Sequence, residues 1–402
     1  MRDALAPLPG TASTAVLEGT FEAFEQQRRH EADVPSRFYR PELDGLRFMA
    51  FLAVLVHHAG PPNLIEAFGP RWPKLAPWIA ALSLTGGFGT DLFFALSSYL
   101  ITVLLLREQS ACGRLDVLRF YARRILRIWP LYFAFMMIAI FVIPHWVPSM
   151  TLDHRYQAAF LLFGANWACA LWGFPHSSAG PLWSVSIEEQ FYLAWPFVIL
   201  WARGKRGLFH VALGMLAIST VTQIVFASLR VSSDLMWFST PTRLEGIACG
   251  VLAAVVFDSE HWKERAREWS LLSVLSLLAL VVLLRYMGET PAAGVWTYPT
   301  AALCCLASLR WVLAVGEQGF LARQPFVYLG KISYGLYVFH FLAISVATRV
   351  IPWGPPELYY PTRAALALAL TVVVASASYY VVERPFLKLK SRFALVPSRP
   401  AT

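Results

Sequence analysis

Charge is in short supply in this sequence. Lys, Arg, Asp and Glu make up 15% of its 402 residues, against 57% apolar residues, where a soluble domain carries nearer a quarter charged. That balance excludes an ordinary soluble enzyme and points to a polytopic membrane protein. The five cysteines, Cys112, Cys169, Cys249, Cys304 and Cys305, form no CxxC pair and have no histidine at zinc-ligand spacing. Neither a disulfide framework nor a metal site is therefore expected, and the thiols read as reduced and structural. The first 40 residues hold Arg28, Arg29, Arg37 and Arg40 but no apolar signal core, so residues 1–38 are expected to form a disordered cytoplasmic tail. No internal repeat, low-complexity tract or polar stretch long enough for a second soluble domain stands out.

A formal charge of +9 would suggest nucleic acid for a soluble protein. Here Lys and Arg lie in short stretches between apolar runs, where they report topology instead, so no nucleic-acid partner is expected.

Eleven apolar runs approach the roughly 20 residues that cross a bilayer: 45–61, 85–106, 128–147, 157–173, 187–202, 207–229, 242–257, 269–287, 297–315, 332–351 and 362–382. With the N-tail inside, the loop from Arg107 to Arg127, with its six arginines, also falls inside, as the positive-inside rule asks. If 157–173 crossed fully, RGKR at 203–206 and KLKSR in the C-tail would lie outside. The rule is kept if that run is re-entrant or a buried hairpin. The expected fold is thus an all-α membrane bundle of about ten transmembrane helices, comprising a membrane domain over 39–390 and a short cytoplasmic C-tail over 391–402. The segment from about 148 to 186 would lie on the outer side, its irregular backbone covered by protein because lipid cannot satisfy it.

Within LDGLRFMAFLAVLVHHAG (43–60), Arg47 and His58 are 11 residues apart. At 100° per residue that returns to within roughly 20° of one helix face, with about 16 Å between them along the axis. His57 points roughly 80° away by the same arithmetic. Arg47 is either a snorkelling anchor or a functional group, and His58 either a bonded core histidine or a catalytic one, since ionisable groups inside spans are costly.

Other stretches add to this pair. GPLWSVSIEEQFYLAWP (180–196) sets two carboxylates at a span entrance. Ser186 and Glu189 have capping-box spacing, whereas Glu188 has no such role, and a carboxylate beside a histidine can orient it and stabilise its imidazolium. Ser184 and Ser186 lack the GxSxG elbow of a nucleophile and read as helix-entry hydrogen bonders. In TPTRLEGIACG (240–250), Arg243 and Glu245 do not face each other at i, i+2, so each needs a partner elsewhere. GKISYGLYVFH (330–340) puts Tyr334 and Tyr337 on one face, Tyr337 reading as core packing, and buries His340 midway. In FYARRILRIWP (120–130), Arg123, Arg124 and Arg127 either set topology or clamp phosphate, to whose oxygens the guanidinium fork is matched.

Taken in order, LDGLR with a histidine after ten intervening residues, GTDLFFALSSYLIT, RRILRIWPLY, LWSVSIEEQFYLAWP, TRLEG, ISYGLYVFH and VVERPF resemble the acyltransferase family 3 membrane proteins, across residues 39–390. The resemblance implies a membrane O-acyltransferase of the cytoplasmic membrane. It would move an acyl group, typically acetyl, from acyl-CoA as co-substrate to a hydroxyl of a carbohydrate or glycolipid, with no bound cofactor. It also implies that His58 is the catalytic histidine, with Arg47 as its essential companion, and that Arg124 and Arg127, with Arg123 beside them, face acyl-CoA. Glu188 is expected to orient His58, and Glu189, Arg243, Glu245, Tyr334 and His340 to support the acceptor side. Two departures stand out: Ser97-Ser98-Tyr99 in place of the family's S-G-F, and Glu245 in place of its usual Asp. No fused esterase-like domain is present in these residues, implying a stand-alone enzyme. The rival class is a transporter for a glycolipid or small anion, against which no paired, broken spans in two related halves are seen. Within the enzyme class the rival acceptor is a small molecule such as an antibiotic.

Overall fold

The computed structural model describes residues 39–61, 63–256 and 264–393, so the expected N-tail and the end of the C-tail lie outside the described residues. The described residues are helical with no strand among them. Ten long helices occupy ten of the apolar runs: α1 Pro41–Ala59, α2 Gly89–Cys112, α3 Val117–Met137, α4 Trp183–Ala202, α5 Lys205–Ser228, α6 Leu244–Val255, α7 Ala266–Met287, α8 Pro291–Val315, α9 Ser333–Val350 and α10 Pro356–Ser378. Proline opens α1, α8 and α10, where its fixed φ suits the first turn and its missing N–H costs nothing.

Six helical stretches are both long and apolar enough to cross a membrane, those built on α2, α3, α5, α7, α8 and α10. Three of the remaining four, α1, α4 and α9, carry Arg47 and His58, Glu188, and His340; polar site residues lower their hydropathy. The fourth, α6, has only 12 residues, about 18 Å, and packs between α2, α5 and α8 rather than against lipid. Burial orders the bundle from centre to rim. The apolar stretch containing α2 is 67% buried, whereas those of α5 and α7 are 17% buried, so α2 forms the axis and α5 and α7 the rim. Exposed apolar side chains such as Trp201, Leu193 and Val373 form the outer surface, as a bilayer-facing bundle requires.

The α2–α6 contact explains one departure. A Cβ at Gly250 would collide with Ser98 Oγ and Ala95 O, and Ser98 Oγ donates to Ile247 O at 2.9 Å. Glycine on α6 thus makes room for serine on α2.

The run at 157–173 is not one membrane-length helix. It is a hairpin of two helices, His154–Leu161 and Ala165–Trp172, of eight residues each, about 12 Å apiece. Protein covers its backbone: Tyr132 donates to Phe160 O at 2.7 Å, Gln190 to Phe163 O at 3.1 Å, and Ala165 N donates to Ser186 Oγ at 3.2 Å. That last bond corrects the capping-box expectation. Helix α4 begins at Trp183, one turn early, so Ser186 serves the hairpin while Glu189 accepts from Trp129 Nε1 at 3.1 Å.

Candidate active site

Four helices, α1, α2, α4 and α9, line two cavities in turn. The first, of about 90 Å³, is walled by Arg47 of α1, Ser97 of α2, Arg124 and Arg127 of α3, Glu188 of α4 and Tyr334 of α9. The second, of about 440 Å³, lies further along the same helices, with His57 and His58 of α1, Thr90 of α2, Trp183 of α4 and Phe341 of α9. Tyr337 lines both. Its hydroxyl is 2.8 Å from Ser184 Oγ and 2.9 Å from Pro181 O, and Phe93 packs edge-on against its ring at 5.7 Å. These side chains divide the basic cavity from the histidine cavity.

The imidazole hydrogen bonds dictate a tautomer. His340 Nδ1 lies 2.6 Å from Tyr337 O; a carbonyl can only accept, so Nδ1 carries the proton and Nε2 of the neutral ring is a lone pair. That lone pair sits 3.1 Å from His58 Nδ1, which must then be the donor. In the neutral His58 ring, Nε2 is then the unprotonated nitrogen, as a general base needs. The stacked rings, 5.2 Å apart, and Phe341 edge-on to His58 at 4.7 Å hold this geometry. His57, placed off-face by helix arithmetic, also lines the cavity, its Nδ1 tied to Ser83 O at 3.1 Å.

Glu188 is not brought to His58. Its carboxylate accepts from Ser97 at 2.8 Å and from Tyr192 at 3.1 Å in the basic cavity, one turn beyond the divide. The partner that orients His58 is His340. Arg124 lies over the rings of Phe120 and Tyr192, and with Arg127 faces the cavity. Arg123 points away: it is buried, paired with Glu108 at 2.7 Å, and donates to Phe393 O at 2.9 Å, so it is committed to structure. Arg47 reaches the basic cavity and pairs with Asp44 at 3.3 Å.

Arg243 and Glu245 do find separate partners. Arg243 is buried against Asp91 at 2.9 Å, donates to Trp237 O at 2.7 Å, and stacks 3.8 Å above the Trp237 ring. Trp183, Phe88 and Tyr298 surround it within 6 Å. All four rings line the histidine cavity, so Arg243 holds that aromatic wall from behind. Glu245 accepts from Gln223 at 3.2 Å and Thr220 at 3.4 Å and lines neither cavity, so the Asp-to-Glu departure falls outside both walls. Tyr334 lines the basic cavity and anchors to Ile128 O at 3.0 Å. Among the described residues no His, Cys, Asp and Glu cluster could hold a metal.

The family model described as an acyltransferase domain matches residues 40–380. The chain belongs to this acyltransferase family. Among similar curated proteins is the peptidoglycan O-acetyltransferase OatA of Listeria monocytogenes, 25% identical over 376 residues that cover 88% of this chain and 56% of that protein. Another is the O-acetyltransferase OatA of Staphylococcus aureus, 26% identical over 381 residues, covering 90% and 59%. The chain therefore spans less than three fifths of the length of these relatives. No solved structure matches.

The sequence left four site features unseen: the dividing role of Tyr337, the Asp91 partner of Arg243, the pairing of His340 with His58, and the Ser97–Glu188–Tyr192 cluster. Only the last had a local signal, the i, i+4 spacing of Glu188 and Tyr192. The other three depend on contacts between distant segments.

Proposed function

We propose that this chain is a membrane O-acyltransferase that moves an acetyl group from acetyl-CoA to a hydroxyl of a glycan, with His58 as general base. The observation that carries the proposal is the pair of cavities meeting at Tyr337: a basic one, and one presenting a histidine whose Nδ1 is engaged by His340, so that Nε2 is the basic nitrogen of its neutral ring.

Arg124 and Arg127 are the groups to meet the phosphates of the donor at the cytoplasmic mouth, with both chain termini cytoplasmic. At about 90 Å³ the basic cavity is far below the ~300–1,000 Å³ of a pocket for a whole ligand. It suits the slender pantetheine arm, leaving the nucleotide outside. The thioester then reaches the divide from one side and the acceptor from the other. His58 Nε2 takes the proton of the acceptor hydroxyl as its oxygen attacks the thioester carbonyl. The C–S bond breaks, and the leaving thiolate receives that proton from the imidazolium. Tyr337 and Ser184 are the hydroxyls at the divide that can turn to a developing oxyanion. The names of the relatives, one of them a peptidoglycan O-acetyltransferase, support a glycan acceptor and an acetyl donor.

The test is free CoA release by purified protein in detergent, with and without hydroxyl acceptors, wild type beside His58→Ala. Loss of acceptor-dependent release by roughly 10²–10⁴-fold is expected in the variant. Unchanged release would remove His58 as base, and a wild-type protein that neither binds nor consumes acyl-CoA would turn the reading to transport.

A further inference from the structure

The two cavities differ in charge as well as in size. The basic one presents Arg47, Arg124 and Arg127 against the single carboxylate of Glu188. The histidine cavity presents two carboxylates, Asp234 from the short helix Ser233–Phe238 and Glu289 from the turn before α8, and no Lys or Arg among its described lining residues. Ser233 Oγ donates to Glu289 O at 3.2 Å, fixing the two acidic segments beside each other. Neither carboxylate has a salt bridge among the described residues. Arg243 lies behind the aromatic wall, but its charge is met by Asp91 at 2.9 Å, and His57 and His58 have their Nδ1 atoms engaged by Ser83 O and His340 Nε2. The fixed charge facing this cavity is therefore negative.

We propose that this cavity selects its acceptor by charge: it takes a glycan segment that is neutral or carries a free amine, and rejects one carrying carboxylate or phosphate on the sugars that enter. Asp234 and Glu289 are the specificity-determining residues, and Trp183, Trp237 and Tyr298 offer the flat apolar faces against which sugar rings pack. A low-dielectric cleft lined by one sign of charge strengthens such discrimination. The arrangement also keeps the two substrates apart, since an anionic donor is drawn to the arginines and repelled by the carboxylates beyond the divide. Naming this the acceptor cavity rests on the transferase reading above; the charge selection itself does not need turnover.

The test is therefore binding without donor, followed by tryptophan fluorescence because Trp183 and Trp237 line the cavity. Three trisaccharides serve as probes at about 0.15 M salt: glucosamine trimer, its fully N-acetylated neutral form, and galacturonic acid trimer. The amine-bearing trimer should bind tightest and the anionic one weakest, at least about tenfold apart. Asp234→Asn combined with Glu289→Gln should collapse that order. Equal binding of the anionic trimer, no binding of any of the three, or an order unchanged in the double variant would overturn the proposal. The wild-type series alone is decisive should the double variant fold poorly. Charge-ordered binding in a protein that releases no CoA would refute the transferase reading and leave the selectivity in place; CoA release with no charge order would do the reverse.

Discussion

Replacing His340 by phenylalanine isolates the tautomer argument from everything else in the site. His340 is fully buried and ringed by aromatic neighbours, Phe51 at 6.1 Å, Phe341 at 5.0 Å and Tyr337 at 5.4 Å, so a phenyl ring fits without leaving a void. It removes the acceptor 3.1 Å from His58 Nδ1. Leaving a buried donor unpaired costs about 1–3 kcal/mol, and that cost falls on the productive tautomer alone, because shifting the proton to Nε2 relieves it. At about 1.4 kcal/mol per tenfold, the productive fraction drops roughly 5- to 150-fold. The expected result is a fall of that size in kcat with the KM for acyl-CoA unchanged, since His340 does not line the basic cavity. His340→Gln, whose Oε1 can accept from His58 Nδ1 while its amide remains a donor, should recover most of the loss. The assay is free CoA release with a saturating acceptor, with thermal unfolding run beside it to show that the fold is intact. Wild-type kcat in His340→Phe, or a glutamine variant no better than phenylalanine, would refute the orienting role.

Arg124→Ala with Arg127→Ala should weaken acyl-CoA binding by at least roughly 10- to 100-fold, the ~1.5–3 kcal/mol of a single charged hydrogen bond, and a Kd titration reads it; unchanged affinity would return both to topology. Arg123→Ala should instead leave Glu108 buried without its partner and lower stability by about 3–5 kcal/mol, visible as a lowered thermal midpoint in detergent with the donor Kd of the surviving protein unchanged. Arg243→Leu should do the same to Asp91 and also loosen the Trp237 wall, seen as a shift in tryptophan emission. Single cysteines introduced between 150 and 180 should react with an impermeant reagent from the outer side only; labelling confined to the cytoplasmic side would invert the topology.

How legible the molecule was in its sequence follows from the range of each interaction. Hydropathy and the positive-inside rule are local sums, and they recovered the helices and the hairpin at 157–173, whose two eight-residue arms could not span. Helix periodicity is also local, and it put Arg47 and His58 on one face. What connects one helix to another was hidden. The spacing SxxE suggested a cap at Ser186, but the true helix start at Trp183 assigned that hydroxyl to Ala165 N, 21 residues away. The expected topology puts Glu188 and His58 at helix ends on the same side, which is why sequence pairs them. One turn of α4 separates Ser184, at the divide, from Glu188, beyond it, and that turn moves the carboxylate into the other cavity. His340 lies 282 residues from His58, a pairing that no single-sequence pattern carries.

The Arg47–His58 spacing acquires its meaning from the divide. Sixteen ångströms along α1 (about 1.5 Å per residue) is the distance from a group lining the basic cavity to one lining the acidic cavity. Shorter steps from one cavity to the other recur on α4, from Glu188 back to Trp183, and on α9, from Tyr334 through Tyr337 to Phe341. A single helix thus presents to each cavity the side chains suited to it, and the two chambers are kept in register by rigid helices rather than by loops. Shifting α1 by one residue should therefore uncouple the halves without removing any group from either. Deleting Ala53 would turn His58 by about 100°, away from His340, and bring Ala59 to its place, while leaving Arg47 where it is. Acyl-CoA should still bind and acyl transfer should be lost; a deletion variant that still transfers would mean that the fixed spacing is not what joins donor to base.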